Sequence, residues 1–184
     1  MSENPSPSDT IWVRDLEMLE APSVDRSPRP APTNLRVRLE MPPDLELYCR
    51  LYRQVGDPWT WFGRRRLAPA DLLAVLSHES HELWILEEYG RARGMAELDY
   101  RASPVVELAY FGLTPDSIGR GLGRWFMTEL LTRVWAKPQP VSRLWLHTCE
   151  LDHPGAVDFY QRSGFRLCGE SRDRRPDPRE RYCW

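Results

Sequence analysis

Three glycines spaced one residue apart constrain this chain more than any other feature. They lie in Leu113-Thr-Pro-Asp-Ser-Ile-Gly-Arg-Gly-Leu-Gly-Arg124. Ahead of them Val105–Gly112 is β-branched and aromatic over the length of a strand. Behind them Arg124–Trp135 carries apolar residues at helical spacing: Trp125, Leu130, Leu131 and Val134. The glycines therefore occupy a strand-to-helix turn. Without side chains at Gly119, Gly121 and Gly123, successive backbone N–H groups can converge on an anion at the helix start. Arg120 and Arg124 add positive charge. The physics is that of a pyrophosphate cradle.

Two common cradles do not fit. A Walker loop needs Gly-Lys-Ser/Thr, and none follows; the dinucleotide fingerprint fails because Arg124 stands where its last glycine belongs. The stretch Ile118-Gly-Arg-Gly121-Leu-Gly123 resembles instead the acyl-CoA loop Q/R-x-x-G-x-G/A of the GCN5-related N-acetyltransferases, or GNAT family. It departs at the first position, where Ile118 replaces Gln or Arg; in the family that position mostly contributes backbone. Downstream, His153-Pro-Gly-Ala156-Val-Asp-Phe-Tyr160-Gln-Arg-Ser-Gly164-Phe165 is similar to the family's Asn-x-x-Ala-x-x-x-Tyr-x-x-x-Gly-Phe. An expected strand, Arg143–Thr148, separates the two motifs in the family's order. The resemblance extends over about residues 34–170 by element order and is carried by motifs across 105–166.

The remainder of the chain accords with one α/β domain. Its 184 residues suffice for a sizeable core, with 41% hydrophobic content. A net charge of −2 gives no field favouring nucleic acid or anionic lipid. Cys49, Cys149, Cys168 and Cys183 are scattered without metal-site spacing, so no metal is expected. No apolar run has membrane-spanning length, and no signal-peptide pattern opens the chain; a cytoplasmic protein with reduced thiols is the expectation.

Residues 1–33 read as a flexible lead and proline-rich linker, with prolines at 22, 28, 30 and 32. Within the lead, Thr10–Glu20 alternates weakly, as an extra strand or a short helix would. The domain is expected over 34–171. Leu35–Leu39 reads as its first core strand, and a helix opened by Pro42 or Pro43 runs to Val55. A second helix spans Pro69–His78, a hairpin joins 82–88 to 94–100, and a last strand spans 166–171. A charged tail, 172–184, reads as a solvated end. The resulting order, β-α-α-β-β-β-α-β-α-β, is that of the GNAT-like mixed sheet flanked by helices.

The resemblance implies acetyl-CoA as co-substrate and direct transfer to an amine of a small molecule or peptide; a homodimer is compatible with it. It assigns the CoA phosphates to amides near Ile118, Gly119, Gly121, Gly123 and Arg124, and the carbonyl oxygen to the Leu113 N–H. Glu107 matches the position of a catalytic glutamate, and His147 competes as base because an imidazole titrates nearer neutrality. Tyr160 matches the family's acid for the leaving thiolate, and His153 stands where an asparagine usually meets the pantetheine arm. In Asp57–Gly63, Trp59 and Trp61 either plug the core or wall the acceptor pocket. Asp57, Glu97, Asp99, Glu107 and Asp152 could favour a cationic acceptor. The alternative from another class is a non-catalytic domain that binds or senses acyl-CoA.

Overall fold

Seven strands are present among the described residues: β1 (Thr10–Met18), β2 (Leu35–Leu39), β3 (His81–Glu88), β4 (Arg91–Asp99), β5 (Val105–Leu113), β6 (Arg143–Cys149) and β7 (Arg166–Arg174). This is a computed structural model, and it describes residues 10–22, 34–174 and 182–184. The strands form one mixed sheet in the order β2-β3-β4-β5-β6-β1-β7. Only the β5–β6 pair is parallel; every other neighbouring pair is antiparallel.

Among the described residues four α-helices cover the sheet: α1 (Leu45–Gly56), α2 (Pro69–Leu76), α3 (Leu122–Trp135) and α4 (Ala156–Arg162). On one face Tyr48, Leu51, Tyr52 and Val55 of α1, at helical spacing, pack with Leu72 and Leu76 of α2 on Leu83, Ile85 and Met95. On the other, Phe126, Met127, Leu130 and Val134 of α3 pack on Leu98, Val106, Leu108, Leu144 and Leu146. Among the described residues, no helix is long and apolar enough to cross a membrane.

Four expectations need correction. Residues 10–18, expected as an extra strand or short helix within a flexible lead, form the strand β1, which lies between β6 and β7 with Leu16 fully buried in the α3-side core. Strand β2, expected as a core strand, is half-buried at the sheet edge. Helix α1 is opened by neither proline. Its N-cap is Asp44, whose carboxylate accepts the Leu47 N–H at 3.0 Å. The expected tail also differs: β7 continues to Arg174, and the Trp184 ring packs 5.5 Å from that of Tyr52. Of the lead and linker, residues 1–9 and 23–33 lie outside the described residues, as do 175–181.

One irregularity positions the site. The β4–β5 register slips between Glu97–Tyr110 and Leu98–Leu108, so Ala109 is an extra residue in β5. In an unbroken strand 108 and 110 would share a face. Here Leu108 belongs to the α3-side core and Tyr110 to the α1-side core.

Candidate active site

Strands β5 and β6 pair over only three rungs, Val105–Arg143, Val106–Leu144 and Glu107–Trp145. Beyond them the two strands part, and a wedge opens between 108–113 and 146–149. A cavity of about 780 Å³ fills it, lined by both parted strands, the glycine turn, α4 and the loop after α1. The edge of β5 that faces the wedge carries free backbone groups. Thr114 N–H donates to Arg93 O at 2.8 Å, so by antiparallel alternation Leu113, paired with Gly94, turns its N–H away from β4 and into the wedge. A carbonyl placed there meets a fixed donor.

At one end of the cavity lies the glycine turn. Gly119 and Gly121 adopt φ of +78° and +79°, conformations that other residues reach only with strain. Gly121 caps α3 without any side-chain hydrogen bond, and the first helical amide bonded back is that of Trp125, to Gly121 O at 3.4 Å. The amides of Leu122, Gly123 and Arg124 are thus left for an anion. Ile118, Gly119, Gly121, Gly123 and Arg124 all line the cavity. The Ile118 N–H is taken by Pro115 O at 3.4 Å. Arg120 is turned away: it forms two hydrogen bonds with Glu88, at 2.5 and 3.0 Å. Arg124 has no carboxylate partner among the described residues.

At the crotch of the wedge, His147 Nδ1 lies 3.6 Å from Glu107 Oε1. His147 lines the cavity, whereas Glu107 stands behind it on the last paired rung. The Glu107 carboxylate raises the imidazole above its ordinary range; desolvation opposes the shift, and Asp152 and Asp15 add to it. Tyr160 enters from α4, with Phe159 and Phe165 rings at 5.5 and 5.9 Å. Burial, helped by the charge of Asp152, raises its hydroxyl far above the usual phenol range. A phenol raised in this way keeps its proton and has a hydrogen bond to donate.

The loop after α1 is a pinned wall. Trp61 packs 5.5 Å from Tyr52 and 5.0 Å from Tyr110, lines the cavity, and donates Nε1–H to Asp152 Oδ1 at 3.3 Å. It therefore both plugs the core and walls the pocket. Gly112 makes room for it: a Cβ there would lie 2.3 Å from Val55 Cγ1 and 3.3 Å from the Trp61 ring. Trp59 stands edge-on to His153 at 5.1 Å, and both line the cavity. Arg64 anchors the loop's end on the fully buried Glu97, which also accepts from Tyr48 and faces His81.

These contacts sort the carboxylates expected to favour a cation. Glu97 is bound by Arg64, Asp99 by Arg101, Asp57 by Arg65, and Glu107 faces His147. Asp152 remains. Spacing alone could not have singled it out, nor shown that Ile11 and Val13 of β1 line the cavity; both depend on which strands become neighbours.

A mixed sheet splayed between two parallel strands, with an uncapped helix start facing the gap, defines an acyltransferase architecture. The chain belongs to the GNAT family of acetyltransferases: the family model described as "Acetyltransferase (GNAT) family" matches residues 45–165. No curated protein matches in sequence. Among solved structures, a GCN5-related N-acetyltransferase from Sphaerobacter thermophilus aligns with a TM-score of 0.65 at 17% identity, covering 91% of this chain and 53% of that one. The chain thus spans about half of that protein's length. The ribosomal-protein-S18-alanine N-acetyltransferase of Escherichia coli gives 0.60 at 16% identity, covering 73% and 79%. An aminoglycoside acetyltransferase from an uncultured soil metagenomic sample gives 0.58 at 14%, covering 71% and 87%. At such identities the likeness is one of fold.

Proposed function

We propose that the chain moves an acetyl group from acetyl-CoA to an amine by direct transfer. The observation that carries this reading is one continuous cavity with anion-ready amides at the α3 start, an inward N–H at Leu113, and the His147–Glu107 pair at its crotch. The open faces of Gly119 and Gly121, where a Cβ would meet nothing within 4 Å, leave room for a pyrophosphate.

The acceptor arrives as an ammonium, which cannot attack. His147, turned toward the cavity and held by Glu107, takes one proton from it. The freed nitrogen forms the C–N bond at the thioester carbonyl, whose oxygen is held by the Leu113 N–H. A preorganised donor of this kind contributes roughly 3–4 kcal/mol in other acyl transfers. The C–S bond then breaks, the nitrogen loses its second proton, and the departing sulfur gains one while Tyr160 stabilises it by hydrogen bonding. His147 returns its own proton to water, which balances the reaction. The four free cysteines accord with a reducing, cytoplasmic setting.

The test is thiol release from acetyl-CoA across a panel of amines, with His147→Ala compared to the parent. Loss of roughly 10²–10⁴-fold in turnover is expected. Stabilisation by CoA with no thiol release from any amine would instead favour a non-catalytic acyl-CoA-binding domain.

A further inference from the structure

We infer that the acceptor is a compact organic cation, a primary ammonium on an aromatic or other apolar body, and that Asp152 receives its charge. The inference rests on the acetyl-transfer reading above and narrows it.

Charge is the first argument. Asp152 accepts three hydrogen bonds, from Trp61 Nε1 at 3.3 Å, Thr148 Oγ1 at 2.7 Å and the Cys149 N–H at 2.8 Å. All three donors are neutral, and no Lys, Arg or His forms an ion pair with this carboxylate among the described residues. Every other carboxylate weighed for the acceptor already faces a basic side chain. A half-buried carboxylate left uncompensated in a cavity favours a cation brought by a ligand. Its position suits the chemistry, because its field raises both His147 and Tyr160. An ammonium docked there shares one cavity with His147 and Tyr160.

Shape is the second. The cavity that Asp152 lines is also walled by Trp59, Trp61, Phe62 and Tyr110 and by Ile11 and Val13, and Trp61 bonds Asp152 directly. Aromatic faces attract organic cations and bury apolar bodies. The third argument concerns what is kept out. Trp61–Asp152 and Trp59–His153 join the loop on the β5 side of the wedge to the loop on the β6 side. Both loops are tied down, by Arg64 to Glu97 and by Asp152 to the end of β6. An extended peptide finds that passage bridged. An amine with a neighbouring carboxylate, such as a free amino acid, meets the like charge of Asp152.

The experiment compares 2-phenylethylamine, phenylalanine and a lysine-containing peptide as acceptors, with and without Asp152→Asn. The parent should use 2-phenylethylamine at least about a hundredfold better in kcat/KM than either rival. Asp152→Asn should raise the amine KM roughly 10–100-fold, the worth of a charge-assisted contact, while leaving the acetyl-CoA KM and the melting shift with CoA in place. That melting shift also reports whether the variant folds. Equal or better use of phenylalanine or the peptide by the parent protein overturns the inference, whatever the variant does. So does an unchanged amine KM in folded Asp152→Asn. Thiol release with none of the three, nor with any other amine, sinks the transfer reading itself and this inference with it.

Discussion

The cradle can be tested with two leucines. Gly121 at φ +79° and Gly90 at φ +72° both lie at positive φ, and a Cβ built on either meets nothing within 4 Å. Leucine at either position is therefore strained by the left-handed backbone and by no clash within the chain. That strain is about 1–2 kcal/mol, which lowers Tm by about 2–8 °C at roughly 2–4 °C per kcal/mol for a chain of this size. The positions differ in surroundings: Gly121 lines the cavity at the start of α3, whereas Gly90 sits in the β3–β4 turn. CoA at a hundredfold excess over Kd adds about 2.7 kcal/mol, a rise of about 5–11 °C. Thermal melts with and without CoA should show this rise in the parent and in Gly90→Leu, and its loss in Gly121→Leu. Strain alone would act on both variants alike, so it cannot mimic the result. If Gly121→Leu keeps the full rise, the α3 start does not hold the phosphates.

Two further outcomes follow from the geometry. A base at His147 must be neutral, and Glu107 raises its pKa, so kcat/KM should climb through an acidic limb above the ordinary imidazole range; Glu107→Gln removes the anion and should move that limb to lower pH, read from pH–rate profiles of both proteins. Leu16→Ala should cost about 2–5 kcal/mol, seen as a lower urea midpoint, because Leu16 is fully buried where β1 meets the α3-side core; a change within error would show that β1 is not an integral part of the sheet.

What could be read in advance is local in the chain. The turn at 113–124 joins a strand to the helix that follows it, and its function needs only backbone amides from consecutive residues. The hairpin was legible for the same reason: Tyr89-Gly90 adopts two positive φ values, the turn that two-residue hairpin loops favour. Strand β1 was not legible as a central element. Its alternation is weak, its one exposed position is the aromatic Trp12, and nothing in Thr10–Met18 encodes that β6 and β7 lie on either side. Arg120 shows the same limit at one residue. It neighbours the cradle in sequence, yet its guanidinium is held by Glu88 at the far end of β3, so the charge left to the cradle is that of Arg124 and the amides.

The two halves of the site consequently differ in how they are built. The phosphate half is contiguous, so its motif survives in a chain with no curated match in sequence. The acceptor half is assembled from long-range contacts: Trp61 reaches Asp152 across 91 residues, Arg64 reaches Glu97 across 33, and Ile11 arrives with β1. A substitution in any of these segments can reshape the acceptor pocket without touching the α3 start. On the proposed reading, changes on the pinned loop after α1, at Asp152 and on β1 should therefore move the acceptor KM and leave the acetyl-CoA KM in place.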